Sequence, residues 1–245
     1  MKIYVSLTTI PSKFKYLNLT IDSLLKQTYL PYQIIINIPK NYNFRFNNLS
    51  ISEEEIDSFI KNYHNNNLII FNLLDEDDGP GTKLTGLLKY STLDKNSYII
   101  LIDDDVVYET SMIKGFVDNI NKDKYEVSSY WIHYLQDVIV GQGVDGFCIK
   151  TELLDLFLQF FDIIKKYKIL LYQDDIYISF FFHLLQKKIQ RVIPPNNKCI
   201  YTLHHYTFID GLICIQGEYS RKILNSENIV LLKKLQQEYF FSFIK

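Results

Sequence analysis

Tyr98-Ile99-Ile100-Leu101-Ile102-Asp103-Asp104-Asp105-Val106-Val107-Tyr108 is the stretch whose reading decides the fold. Tyr98 to Ile102 run without alternation, the pattern of a strand covered on both faces, and the run stops at three carboxylates. Side chains of an extended chain alternate, which predicts Asp103 and Asp105 on one side of the strand end and Asp104 on the other. Two unit charges about 6 Å apart repel by roughly 3 kcal/mol at an effective dielectric of about 20, so a converging carboxylate pair calls for a cation. Carboxylates suit Mg²⁺ or Mn²⁺, hard ions that usually bring substrate phosphates with them. Position agrees, because ligands of open α/β sheets sit beyond the carboxyl ends of the strands. An acidic turn in solvent would show the same letters.

Upstream, strands and helices alternate. Ile3 to Leu7 is a short buried-strand run ending in the turn Thr8-Thr9-Ile10-Pro11-Ser12, and Phe14, Leu17, Ile21, Leu24 and Leu25 then fall at helical spacing, with Pro31 as the stop. Gln33 to Ile38 is a second such run, and Tyr42 to Ser50 reads as an aperiodic surface loop. Ser52 with Glu55 forms a capping box and Ile51 with Ile56 a hydrophobic staple, so a helix starts there and runs to about Tyr63. Leu68 to Leu74 is a third strand run, and after the irregular 75–83 loop a helix from Lys83 to Leu93 feeds the central strand. This order predicts a three-layer α/β/α domain around a mostly parallel sheet with right-handed crossovers.

Downstream the pattern is less regular. A helix is expected over 111–120, short strands over 126–131 and 138–140, a flexible Gly141-Gln142-Gly143-Val144-Asp145-Gly146 connection, and a strand from Phe147 to Lys150. Leu153 to Ile164 and Ile176 to about Gln186 read as strongly apolar helices, Cys199 to Leu203 as a strand, and Val230 to Phe243 as an amphipathic closing helix. No repeat or linker divides the chain, so 1–245 is expected to be one domain, with a nucleotide-facing half to about 108 and an acceptor-facing half beyond it.

Composition places the chain among ordinary globular proteins: 245 residues, 47% hydrophobic, 22% charged, formal charge −2. A basic nucleic-acid footprint is missing, and the apolar runs fall short of the roughly 20 residues a bilayer span needs. Met1 to Val5 enters a strand pattern directly, without a signal-peptide h-region, and Cys148, Cys199 and Cys214 have no metal-ligand spacing. These features predict a reduced, cytoplasmic protein, in the host cytoplasm if the source is viral.

Several constellations carry chemistry. Asp78-Gly79-Pro80-Gly81-Thr82-Lys83 sets a carboxylate, free amides and a lysine at a loop feeding a helix, which can hold a ribose hydroxyl and a phosphate or can be a plain turn. Asp174-Asp175 open a helix, where a carboxylate can cap or can face a cleft. His204 and His205 end a strand pattern, where alternation lets only one of them face a given site; that one can complete a shell of carboxylate and phosphate oxygens around a metal, or the two can be a partly buried aromatic pair. Trp131, His133 and Phe147 can line an apolar wall for a sugar ring or belong to the core. Neither a Gly-x-Ser-x-Gly elbow nor a Walker loop is present, and the glycine run at 141–146 lacks the βαβ context of a dinucleotide site.

Together, Val5-Ser6-Leu7-Thr8-Thr9-Ile10-Pro11-Ser12, the Asp78 to Lys83 loop, Ile102-Asp103-Asp104-Asp105, the glycine-rich 141–146 segment and Gln173-Asp174-Asp175-Ile176 resemble glycosyltransferases of the GT-A fold. The likeness covers about Ile3 to His205 and is strongest to the short domains of large DNA viruses and some bacteria, including a chlorovirus-type rhamnosyltransferase domain. It implies a metal-dependent, inverting hexosyl- or deoxyhexosyltransferase with a nucleotide-diphosphate sugar as donor, a UDP-sugar first, and a glycan or other hydroxyl as acceptor. It further implies Thr9, Asp78, Lys83, Asp103 and Asp104 on the nucleotide, with Asp103 at the ribose. Asp105 with His204 or His205 would hold Mn²⁺ or Mg²⁺, and Asp175 would be the general base. Trp131, Gly143 and Asp174 are expected on the sugar or acceptor side, with Asp174 as the helix cap. A metal-dependent nucleotide phosphotransferase or hydrolase, and a silent nucleotide-sugar binding module, would use the same acidic tip.

Overall fold

The structure is a computed structural model, which describes residues 1–42, 51–90, 93–194, 201–203 and 218–239. In chain order its main elements are β1 (Ile3–Thr8), α1 (Leu17–Leu25), β2 (Gln33–Pro39), α2 (Glu53–Lys61), β3 (Ile69–Leu74), α3 (Thr82–Tyr90), β4 (Tyr98–Leu101), β5 (Val106–Tyr108), α4 (Met112–Asp123) and β6 (Val127–Ser129). There follow β7 (Ile132–Leu135), β8 (Val138–Gly141), β9 (Phe147–Lys150), α5 (Phe157–Ile164), α6 (Asp174–Leu184), β10 (Gln190–Arg191), β11 (Tyr201–Leu203) and α7 (Glu218–Tyr239).

Seven strands form the central sheet in the order β10-β6-β9-β4-β1-β2-β3. All its neighbours pair in parallel except β9, which runs against both β4 and β6. The unbroken apolar strands follow from a sheet covered on both sides. Ile3, Val5, Leu7, Ile34, Ile36, Ile38 and Ile100 point into one core with α1, α2 and α4. Tyr4, Ile35, Ile99 and Leu101 point into the other, against α3, α5, α6 and α7. The expected three-layer α/β/α architecture with a mostly parallel sheet is therefore observed. Helix α2 starts as its local chemistry dictates, the Glu55 amide donating to the Ser52 hydroxyl and the Ser52 amide to the Glu55 carboxylate.

Other elements depart from expectation. Helix α1 ends at Leu25, well before Pro31, and α7 begins at Glu218 rather than Val230. Leu153 and Leu154 belong to a 3₁₀ turn (Thr151–Leu154) that precedes α5, and α6 starts at Asp174 rather than Ile176. Strands β5, β7 and β10 carry no local signature. The first pairs antiparallel with β11, the second with β8 around a turn in which Gln136 takes φ 57°, and the third with β6. The expected 43–50 loop lies outside the described residues. Among the described residues no helix is long and apolar enough to cross a membrane.

The topology gathers three segments at one edge of the sheet. The loops after β1 and after β4 leave from its carboxyl edge, and because β9 is reversed, with Phe147 opposite Leu101, the 141–146 segment that precedes it arrives there too.

Candidate active site

Ser6 of β1 and Asn37 of β2 are polar residues that are fully buried. They donate to the carbonyl of Lys83, Ser6 Oγ at 2.5 Å and Asn37 Nδ2 at 3.5 Å, and Asn37 Nδ2 also reaches Ser6 Oγ at 2.9 Å. A Cβ on Gly86 would lie 2.7 Å from Asn37 Oδ1, so α3 rests directly on the sheet. In the turn just before α3 the Tyr177 ring from α6 occupies the space over Gly81, its hydroxyl 1.5 Å from where a Cβ would be. The backbone at Lys83 is thus fixed from two sides.

From there the Lys83 ammonium lies 2.6 Å from Asp103 Oδ1 and 3.1 Å from Asp174 Oδ2. A Cβ on Gly143 would come within 2.9 Å of Lys83 Nζ, 3.3 Å of Asp175 Oδ1 and 3.5 Å of Asp103 Oδ1, and the Gly143 amide donates to Asp175 Oδ1 at 2.9 Å. Lys83, Asp103, Gly143, Asp174 and Asp175, expected from four separate stretches of sequence, therefore meet at one point. Lys83 is 2% exposed, whereas the Asp103 side chain is 36% exposed and open to a ligand.

Burial opposes the charge of Lys83, but Asp103, Asp174 and Asp175 overcome it and hold the pKa well above the ordinary lysine range. Burial likewise opposes the Asp103 carboxylate, and Lys83 pulls its pKa below the usual range. Asp175 is pushed well above it, by burial and by the charges of Asp174 and Asp103, which outweigh Lys83 and the Gly143 amide. At Asp175 desolvation and like charge thus dominate over the amides at the start of α6. Nor does Asp174 cap α6. Gln173 stands at the N-cap without a side-chain capping bond, and the Asp174 carboxylate turns to Lys83 instead.

A second cluster forms beside the first. The Lys13 ammonium lies 2.8 Å from Asp105 Oδ2 and 3.3 Å from Asp104 Oδ1, and Thr9 Oγ1 donates to Asp104 Oδ2 at 2.7 Å. Asp104 and Asp105 thus share Lys13 while Asp103 faces Lys83, which corrects the alternation expected of these residues. The reason is that β4 ends at Leu101 and the chain bends at Asp104 and Asp105 before β5. Burial raises the Asp105 pKa, Lys13 opposes it, and Asp104 and Asp103 add to the rise.

Sequence reasoning missed Lys13, Tyr108 and Asp145. The Tyr108 hydroxyl accepts from the Asp103 amide at 3.2 Å and donates to the Val144 carbonyl at 3.1 Å, tying the acidic loop to the glycine-rich one. Asp145 is pushed up to about 6 by burial and by Asp103. The one signal for Lys13 was its place in the loop after the first strand, and an aspartate within a glycine run gave a weak sign of Asp145.

Asp78 is held on the flank of α3, accepting from Thr85 and Lys89 at 2.7 Å each. Trp131 is 51% exposed, two residues past β6 at the carboxyl edge, with the Arg191 guanidinium over its ring at 5.3 Å. Phe147 is not part of an apolar wall, being fully buried against Phe182. His133 is half-buried beside Gln142. His204 and His205 lie outside the described residues, directly after β11, whose last residue Leu203 pairs with Val106.

Among the described residues no three His, Cys, Asp or Glu side chains are grouped to hold a metal ion. Asp104 and Asp105 nonetheless fit one. Two carboxylates supplemented by diphosphate oxygens are a donor set that Mg²⁺ and Mn²⁺ accept, and the Lys13 ammonium stands between them as a cation.

The chain matches no protein-family model and no curated protein sequence. Among solved structures it is similar to residues 1–349 of TarS from S. aureus in complex with UDP-GlcNAc, with a TM-score of 0.56 and 15% identity over 90% of this chain and 61% of that one. The complex of the same TarS residues with UDP gives 0.54 and 16% over 82% of this chain and 60% of that one. The chain therefore spans about three fifths of the length of these structures. They are not of the viral rhamnosyltransferase type that the motifs suggested. At such identity the likeness speaks for the fold alone, a GT-A fold around a mostly parallel central sheet.

Proposed function

We propose that the protein transfers a sugar from a nucleotide-diphosphate sugar, a UDP-sugar, to a hydroxyl acceptor with inversion at the anomeric carbon. The observation that carries this reading is the meeting of Lys83 and Asp103 with Asp174, Asp175 and Gly143, which sets groups suited to a nucleotide against carboxylates suited to an acceptor. The TarS structures in complex with UDP and UDP-GlcNAc support the donor class.

In this reading Asp103 holds the ribose, Lys83 faces the diphosphate, and Asp104 and Asp105 hold Mn²⁺ or Mg²⁺, with His204 or His205 as a further ligand. The bound ion would supply Lewis-acid neutralisation of the leaving diphosphate. Asp175 takes the acceptor's proton as the acceptor oxygen attacks the anomeric carbon and the bond to the diphosphate oxygen breaks. The Gly143 amide orients Asp175, and the lack of a side chain at 143 leaves room for the reacting groups. Asp174, paired with Lys83, is left out of proton transfer. Trp131 offers an exposed ring face for a sugar of the acceptor.

Incubation with a panel of nucleotide sugars and hydroxyl acceptors, read by mass spectrometry and by NMR of the anomeric proton, tests this. A glycosylated product of inverted configuration is expected. A retained configuration would overturn the inverting step. Phosphate or free sugar as the sole product with every acceptor would favour a hydrolase.

A further inference from the structure

We infer that Lys13 is a resident counter-cation for the metal position, which must release Asp104 and Asp105 before a divalent ion can bind and which makes metal and nucleotide bind cooperatively. The inference rests on the proposed reading of Asp105 as a metal ligand. The Lys13 contacts engage Asp105 Oδ2 and Asp104 Oδ1, for which an entering ion would have to compete, while Thr9 donates to the other Asp104 oxygen. The Lys13 side chain is 17% exposed, and those of Asp104 and Asp105 are 9% and 20% exposed, so the three charges lie in a setting where solvent screens them weakly. An ammonium and a divalent ion cannot share two carboxylates at these distances without strong repulsion, so one excludes the other.

Lys13 also has the means to move. It sits in the loop between β1 and α1 on a flexible four-carbon stem, unlike Lys83, whose backbone is pinned by Ser6 and Asn37. A diphosphate offers the displaced ammonium a new partner at the same edge of the sheet. The nucleotide thereby lifts the competition, and by linkage the metal tightens nucleotide binding by the same factor.

The test is titration of the whole chain with Mn²⁺ alone and with Mn²⁺ in saturating UDP, following free Mn²⁺ by electron paramagnetic resonance. Lys13→Met should bind Mn²⁺ alone at least about tenfold more tightly than the parent, and the tightening that UDP confers should shrink correspondingly. Lys13→Arg, which keeps the charge, should bind weakly like the parent. Lys15→Met, which removes a charge stacked on Tyr16 instead, should change the affinity less than about twofold. Unfolding of each variant by heat confirms that the folded protein is being titrated. Equal or weaker Mn²⁺ affinity in Lys13→Met, with Asp105→Ala still abolishing binding, overturns the inference and leaves the metal reading standing. If neither the parent nor Lys13→Met binds Mn²⁺ with UDP present, the metal reading itself fails.

Discussion

Asp175 can accept a proton only after losing its own, and burial, Asp174 and Asp103 all resist that loss. A carboxyl whose pKa is raised is protonated at low pH, so turnover should climb with pH through an apparent pKa well above the ordinary carboxylate range. That limb should vanish in Asp175→Asn, whose turnover should fall about a hundredfold or more while nucleotide-sugar binding persists. A pH–rate profile and a binding isotherm check both statements. Asp145 offers a second titration. Its pKa of about 6 lies above the 3.8 of an ordinary aspartate, so the folded protein binds this proton more tightly than the unfolded chain does. Stability associated with the proton is complete below about pH 4 and lost as pH rises to about 6. Asp145→Asn should therefore match its parent in urea near pH 4 and exceed it above pH 6, by about 1 kcal/mol once partial exposure is allowed for. At this scale the sequence disclosed residue types more readily than partners. Asp103, Lys83 and Asp175 stood out through their motifs, whereas the sharing of Lys13 by Asp104 and Asp105 depends on a bend that no spacing rule encodes.

Elements defined by local chemistry were legible, and those defined by distant partners were not. The Ser52 to Glu55 box and the apolar runs of β1, β2 and β4 announce themselves because their signals lie within a few residues. Strands β5, β7 and β10 have four residues or fewer and exist because β11, β8 and β6 lie beside them. The contact of α6 with the Gly79–Gly81 turn before α3 belongs to the same hidden class, since nothing in Gly-Pro-Gly names Tyr177 as its neighbour. Adding a methyl at Gly81 must displace the Tyr177 hydroxyl, so Gly81→Ala should cost about 1–3 kcal/mol in chemical denaturation. That hydroxyl is buried without a hydrogen-bond partner among the described residues, so Tyr177→Phe alone should hold or raise the melting temperature. Combined with Gly81→Ala it should recover part of the loss, and a purely additive double variant would show that the steric reading is wrong.

Over the whole molecule, alternation of strand and helix foretold three layers, while the strand order and the reversal of β9 came only with the structure, because pairing across the sheet joins distant segments. The rear layer is completed late in the chain. Ile229, Leu232 and Leu235 of α7 are buried in the core that α5 and α6 share. Leu232→Ala should cost about 2–5 kcal/mol in urea unfolding, and a chain cut before Glu218 should bind the dye ANS and lose near-ultraviolet circular dichroism. The reversal of β9 has a broader consequence. A strand laid parallel contributes the loop that follows it to the working edge, whereas a reversed strand contributes the loop that precedes it. Residues 142–146 are thereby suspended between β8 and β9, anchored at both ends yet outside the ladder, and reach the working edge without a strand of their own there.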